Sequence, residues 1–157
     1  MPSRVLIVTY GNPLRSDDGV ALCAADILAS KHSESAIEIM RLPQLAPELS
    51  ETVSHFERVI FVDAASAHGG DKPGDIRVER IGDSGRDAGS AARFSHVLTP
   101  HSVVALATKL YGAKLKEVFL VTVIGESFAH GESLSAHVSA VLPNLIAEIE
   151  RLVNSPD

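Results

Sequence analysis

Three stretches of the chain, Val5-Leu6-Ile7-Val8-Thr9-Tyr10, Val59-Ile60-Phe61-Val62-Asp63 and Val118-Phe119-Leu120-Val121-Thr122-Val123-Ile124, are nearly unbroken runs of β-branched and apolar residues. A strand with one wet face alternates apolar with polar, whereas a run that is apolar at both parities must be covered on both faces. A parallel sheet between two helical layers supplies that cover. The three runs therefore fix the central strands of such a sheet.

The segments between them supply the helices and edges. Val20, Cys23, Ala24, Ile27 and Leu28 recur at helical spacing and predict a first helix with that face inward. Ala36 to Leu42 reads as a second strand. Pro47-Glu48 predicts a helix start, with Leu49, Val53 and Phe56 buried. Ile76-Arg77-Val78-Glu79 alternates as an edge strand does, and the short connection from Asp63 leaves no room for a crossover helix, so it should run antiparallel to its predecessor. Thr99-Pro100 is an N-cap and first-turn pair for a helix carrying Val103, Val104, Leu106, Ala107 and Leu110, stopped by Gly112. A last helix buries Val138, Val141, Leu142, Leu145, Ile146, Ile149 and Leu152, and Pro143 should kink it or mark a second start. The expected fold is α/β, a three-layer α/β/α sandwich with a mostly parallel sheet of about five strands and one antiparallel edge strand, forming a single domain over residues 1–157.

Composition narrows the function classes. The net charge of -6, the absence of a Lys/Arg cluster and the absence of Trp argue against a nucleic-acid partner. A single cysteine, Cys23, rules out an internal disulfide and a cysteine-based zinc cluster, and its Ala-rich surroundings suit a small buried hydrophobe. Nowhere do about 18 apolar residues run together, and the N-terminus lacks a signal-peptide pattern. No membrane partner and a cytoplasmic location are the expectations.

Ligands of open α/β sheets sit beyond the carboxyl ends of the strands. The turn-rich loop Gly11-Asn12-Pro13-Leu14-Arg15-Ser16-Asp17-Asp18-Gly19 leaves the end of the first strand, and Asp63 ends the third, so both open onto that edge. The plain alternatives are a helix cap for the loop acids and an Asx turn for Asp63. His96 and His101 flank the start of the helix at Thr99-Pro100 and reach the same edge. Two carboxylates and an imidazole suit a divalent transition metal with open positions; zinc, nickel, manganese and ferrous iron are all compatible. A P-loop, a dinucleotide fingerprint, a nucleophile elbow and a zinc-protease helix are missing. A phosphoacceptor receiver domain also has early acids and an Asp after its third strand, but here the last central strand ends Ile124-Gly125-Glu126-Ser127 without the Lys such a domain carries.

The chain resembles the hydrogenase maturation endopeptidases, which trim the C-terminal extension of the [NiFe]-hydrogenase large-subunit precursor after nickel insertion. The resemblance spans essentially the whole chain. It is carried by Gly11-Asn12, Leu14 and Asp17-Asp18-Gly19 after the first strand, by Val59-Ile60-Phe61-Val62-Asp63-Ala64, and by Ser95-His96-Val97-Leu98-Thr99-Pro100 followed by Leu106-Ala107 and Leu110-Tyr111-Gly112. Gln44 with Pro47-Glu48 resembles one branch. The resemblance implies an aspartic-type endopeptidase whose catalytic and metal-contacting residues are Asp18, Asp63 and His96, with His96 preferred to His101 because it directly precedes the Leu-x-Pro and helix pattern. Asp17 is then a neighbour that shapes the loop or caps the helix. It further implies that nickel is presented by the substrate, that other divalent ions may substitute, and that the partner is the large-subunit precursor. A generic divalent-metal hydrolase and a non-catalytic nickel-binding chaperone are the alternative functions. The segment from Gly82 to Ala92 is expected to close over the substrate tail. Two departures from the family pattern are Ala21, where a second Gly is common, and Asp18, where some members have Glu.

Overall fold

A computed structural model describes residues 4–33, 36–82 and 98–155. His96 and all of the expected closing segment except Gly82 lie outside the described residues. The elements run β1 (Val5–Tyr10), a 3-10 turn (Ser16–Gly19), α1 (Val20–Lys31), β2 (Ile37–Leu42), α2 (Leu49–Val53), β3 (Arg58–Ala65), β4 (Ile76–Arg80), α3 (Pro100–Tyr111), β5 (Glu117–Ile124) and α4 (Ala136–Asn154). The strands form one five-stranded sheet in the order β2-β1-β3-β5-β4. All neighbours pair in parallel except β4 with β5.

The apolar runs do what their composition requires. Ile7, Ile60, Val62, Val121 and Val123 face one helical layer, packed against Val20, Ala21, Ala24 and Leu28 of α1 and Val138, Leu145, Ile149 and Leu152 of α4. Leu6, Val8, Val59, Phe61 and Val118 face the other, under Leu49 and Val53 of α2 and Val103, Val104 and Ala107 of α3. Completely burying each such aliphatic side chain contributes roughly 1.5–3 kcal/mol. The result is the expected α/β/α sandwich. The α3 boundaries also follow the sequence signals. Thr99 caps the helix by accepting from Ser102 N, Pro100 sits in the first turn, and Gly112 ends it in the left-handed conformation at φ 61°.

Two local expectations change and two are sharpened. In α1, Ala21, Ala25 and Leu22 are buried while Cys23 is half-buried and Ile27 is exposed, because alanines let the helix lie close against the sheet and α4 and so choose the inward face. Helix α2 is only Leu49–Val53, with Pro47 and Glu48 in the turn before it. Helix α4 runs through Pro143 without a second start, since the residues on either side keep their apolar stripe against the sheet. Strand β4 does run against β3, but its hydrogen-bonded neighbour is β5, which occupies the place beside β3.

Candidate active site

Strand β1 leads outward to β2 on one side and β3 lies on its other side, so the strand order reverses between β1 and β3. Such switch points open a crevice at the carboxyl ends of the strands. The loop after β1 and the end of β3 border that crevice.

Asp63 shares the parity of Val59 and Phe61 and so projects on the α2/α3 face of the sheet. It belongs to a transverse row. Leu42 and Tyr10 are register partners on β2 and β1, Asp63 and Thr122 are partners on β3 and β5, and Thr122 and Arg77 are partners on β5 and β4. Tyr10 closes the row by donating its phenolic hydrogen to Asp63 Oδ2 at 2.8 Å. Asp63 Oδ1 is buried and has no hydrogen-bond partner among the described residues. Burial pushes the Asp63 carboxyl up to about 6; the Tyr10 and Thr122 hydroxyls oppose that rise, and the negative charge of Asp18 adds to it. Tyr10 is itself raised, first by burial and then by the Asp63 carboxylate, so its hydroxyl remains a donor.

Asp18 reaches the crevice through a tightly specified loop. Its Oδ2 accepts from Asn12 N at 2.8 Å, which folds the loop back over the end of β1. Gly11 makes this possible: at φ +153° a Cβ there would stand 2.0 Å from the Asp18 carbonyl oxygen. Ser16 adopts φ 50°, an uncommon conformation for a non-glycine residue. It is held there because Ser16 N donates to Gly131 O and Ser16 Oγ donates to Ala129 O, both at 2.8 Å.

Those bonds belong to a longer seam between the Asp18 loop and the β5–α4 connection. Arg15 Nε donates to Phe128 O, Gly131 N donates to Leu14 O, and Asp17 N donates to Ser127 O. The Asp17 side chain completes the seam. Fully buried, it accepts from Glu126 N at 2.7 Å, Ser127 N at 3.0 Å and Ser135 N at 2.7 Å. Burial alone would raise its pKa, but these three backbone donors outweigh it and hold the carboxyl below its usual value. Gly125 clears the space, since a Cβ there would meet the Phe128 ring at 2.7 Å and Asp17 Cβ at 3.0 Å. Asp17 is thus the structural acid of the pair. The helix it serves is α4, whose first turn follows Ser135, rather than α1.

The structure brings Asp18 and Asp63 into electrostatic reach, and adds Tyr10, which motif reading did not single out. The signal for Tyr10 was its parity on β1: Leu6, Val8 and Tyr10 share a face, and only the last carries a hydroxyl. His101 is turned toward β4, its Nε2 lying 3.5 Å from Glu79 Oε1. Among the described residues no three His, Cys, Asp or Glu side chains form a metal-holding group. Asp63 Oδ1, buried without a hydrogen-bond partner among the described residues and within the field of the Asp18 charge, is nevertheless the kind of oxygen a divalent cation completes. Among the described residues no helix is long and apolar enough to cross a membrane.

No family model and no curated protein matches the sequence. Solved structures do match over nearly the entire chain. A hydrogenase 2 maturation peptidase from a Thaumarchaeota archaeon is 23% identical, covering 98% of this chain and 99% of its own, with a TM-score of 0.71. The hydrogenase maturating endopeptidase HybD from E. coli is 21% identical over 93% of this chain and 89% of its own, with a TM-score of 0.67. The [NiFe] hydrogenase maturation protease HycI from Thermococcus kodakarensis is 20% identical over 98% of this chain and 94% of its own, with a TM-score of 0.70. The chain has the fold of these maturation peptidases.

Proposed function

We propose that the protein is a hydrogenase maturation endopeptidase that removes the C-terminal extension of the [NiFe]-hydrogenase large-subunit precursor after nickel insertion, with Asp18, Asp63 and His96 recognising nickel carried by the substrate. The observation that carries this reading is the Asp63 carboxylate. It sits at the switch point of a maturation-peptidase fold with one oxygen held by Tyr10 and the other buried and without a hydrogen-bond partner among the described residues, within reach of the Asp18 charge.

A substrate-borne divalent ion supplies the positive charge that this pair of acids lacks and polarises a carbonyl nearby. Burial raises the Asp63 carboxyl to about 6 in the absence of an ion, and a carboxylate oxygen of this pair left free by the ion is suited to take a proton from water. In the resulting hydrolysis the water oxygen attacks the scissile carbonyl carbon while its proton passes to that carboxylate. The C–N bond then breaks, and that proton passes on to the leaving amine. The part-buried Tyr10 hydroxyl keeps Asp63 oriented throughout.

The test is a set of single replacements assayed on loaded precursor. Asp18→Ala, Asp63→Ala and His96→Ala should each stop tail removal with the circular dichroism spectrum unchanged, while His101→Ala retains it. An inactive His101→Ala beside an active His96→Ala would move the imidazole role to His101. A protein that binds loaded precursor without changing its mass would be a chaperone, and one that cleaves unrelated small substrates with a tightly held ion would be a general metallohydrolase.

A further inference from the structure

The row that contains Asp63 continues past Thr122 into a groove on the same face of the sheet, with a volume of about 410 Å³. That is within the roughly 300–1,000 Å³ typical of ligand clefts. Leu120, Thr122 and Ile124 of β5 form its floor, Arg77 and Glu79 of β4 one wall, and Ser66 and His68 of the turn after β3 another. Thr122 therefore borders both Asp63 and the groove, which makes the groove the lateral extension of the active-site crevice.

The walls are preformed. Asp71, whose side chain is almost entirely buried, accepts from His68 N at 2.9 Å and pairs with Arg77, tying the turn to β4. Gly74 N donates to Ile124 O at 2.7 Å and Ile124 N donates to Asp75 O at 2.8 Å, which fastens the far end of the turn to β5. Along the groove Arg77 is answered by Asp71, and Glu79 Oε1 lies 3.5 Å from His101 Nε2. What remains on offer is the partly exposed Leu120 side chain beside the Ser66 hydroxyl, with Ile124 packed beneath. A site of that kind favours an uncharged chain with an apolar side chain and exposed amides, and disfavours an acidic one, which would meet Glu79 and an Arg77 already paired with Asp71.

We infer that this groove is a subsite for the substrate polypeptide, seating an uncharged, apolar-bearing extended segment that flanks the scissile bond. The inference rests on the endopeptidase reading for the identity of its occupant. A preformed cleft continuous with the row of Asp63 holds the chain in line with the carboxylate, which is how positioning contributes to hydrolysis.

The probe is a fluorescein-labelled synthetic peptide spanning the precursor's cleavage junction, titrated with the full-length protein and followed by anisotropy. Ser66→Trp fills the groove from an exposed position, and Lys72→Trp places the same bulk on the same turn outside it. Ser66→Trp should weaken peptide binding at least tenfold and Lys72→Trp less than twofold, and a junction peptide with Asp in place of its apolar residue should bind wild type at least tenfold more weakly. Equal affinity of wild type and Ser66→Trp, or no binding of the peptide to wild type, overturns the subsite even if loaded precursor is processed. Groove-dependent binding without any processing of loaded precursor upholds the subsite and overturns the endopeptidase reading. A dimer that Ser66→Trp dissociates, with peptide binding untouched, assigns the groove to a second copy of the chain and overturns the subsite as well.

Discussion

Tyr10 on β1 and Asp63 on β3 are joined by a 2.8 Å hydrogen bond from the phenol to Oδ2, across the point where the strand order reverses. The bond occupies one carboxylate oxygen, while the other, Oδ1, is buried and has no hydrogen-bond partner among the described residues. Tyr10→Phe removes the donor without altering the ring. With that favourable contact gone the Asp63 pKa should rise above about 6, and activity on loaded precursor should fall by roughly tenfold, with the acidic limb of its pH profile moved upward. An unchanged profile would show that Tyr10 merely fills space.

Asp63 also predicts a stability signature. Its carboxyl ordinarily titrates at 3.8 and titrates at about 6 in the fold, so between those values the folded protein keeps a proton that the unfolded chain has lost. Its favourable contribution is complete below the lower value and disappears as pH rises through the upper one. Asp63→Asn carries no charge to bury. It should be more stable than wild type by roughly 1–3 kcal/mol near pH 8 and about equal to it near pH 4, while inactive. Urea unfolding at the two pH values measures the difference.

Asp17 has the opposite sign. Its folded-state pKa is lowered by the three backbone donors, so the stability it contributes is present above its ordinary value of 3.8 and lost as pH falls below it. Asp17→Ala strands the amides of Glu126, Ser127 and Ser135 and should cost roughly 2–4 kcal/mol. Thermal unfolding checks the cost. Because the same seam holds the Asp18 loop, processing should fall even at temperatures where the variant remains folded.

Gly11→Ala tests the approach of that loop to the strand end. The added methyl would lie 2.0 Å from the Asp18 carbonyl oxygen at a backbone angle that favours glycine, so the loop must shift or the protein must lose stability. An expected loss of about 2 kcal/mol or more, together with lost processing, distinguishes this position from the neighbouring exposed Asn12 side chain.

Much of the architecture was legible because apolar runs and caps are local signals. The three unbroken runs placed β1, β3 and β5 at the centre of the sheet, and Thr99, Pro100 and Gly112 marked both ends of α3. The inward face of α1 was legible in part: Val20, Ala24 and Leu28 are buried as expected, but an alanine-rich helix has little contrast between its faces, and Ala21 and Ala25 are buried in place of Cys23 and Ile27. Asp18 and Asp63 could be placed at one edge from their positions after parallel strands. Tyr10 and the seam that fixes Asp17 could not, because both depend on partners distant in sequence, more than fifty residues away for Tyr10 and more than a hundred for Asp17. His96 lies outside the described residues, so its place rests on the motif alone.

The most direct measurement is the intact mass of the [NiFe]-hydrogenase large-subunit precursor after incubation with this protein, with and without prior nickel loading. Recognition of substrate-borne nickel predicts loss of the C-terminal extension by a single cut in the loaded precursor and an unchanged mass in the nickel-free one. A loaded precursor from the same cell that keeps its full mass, or a nickel-free precursor cut equally well, would contradict it.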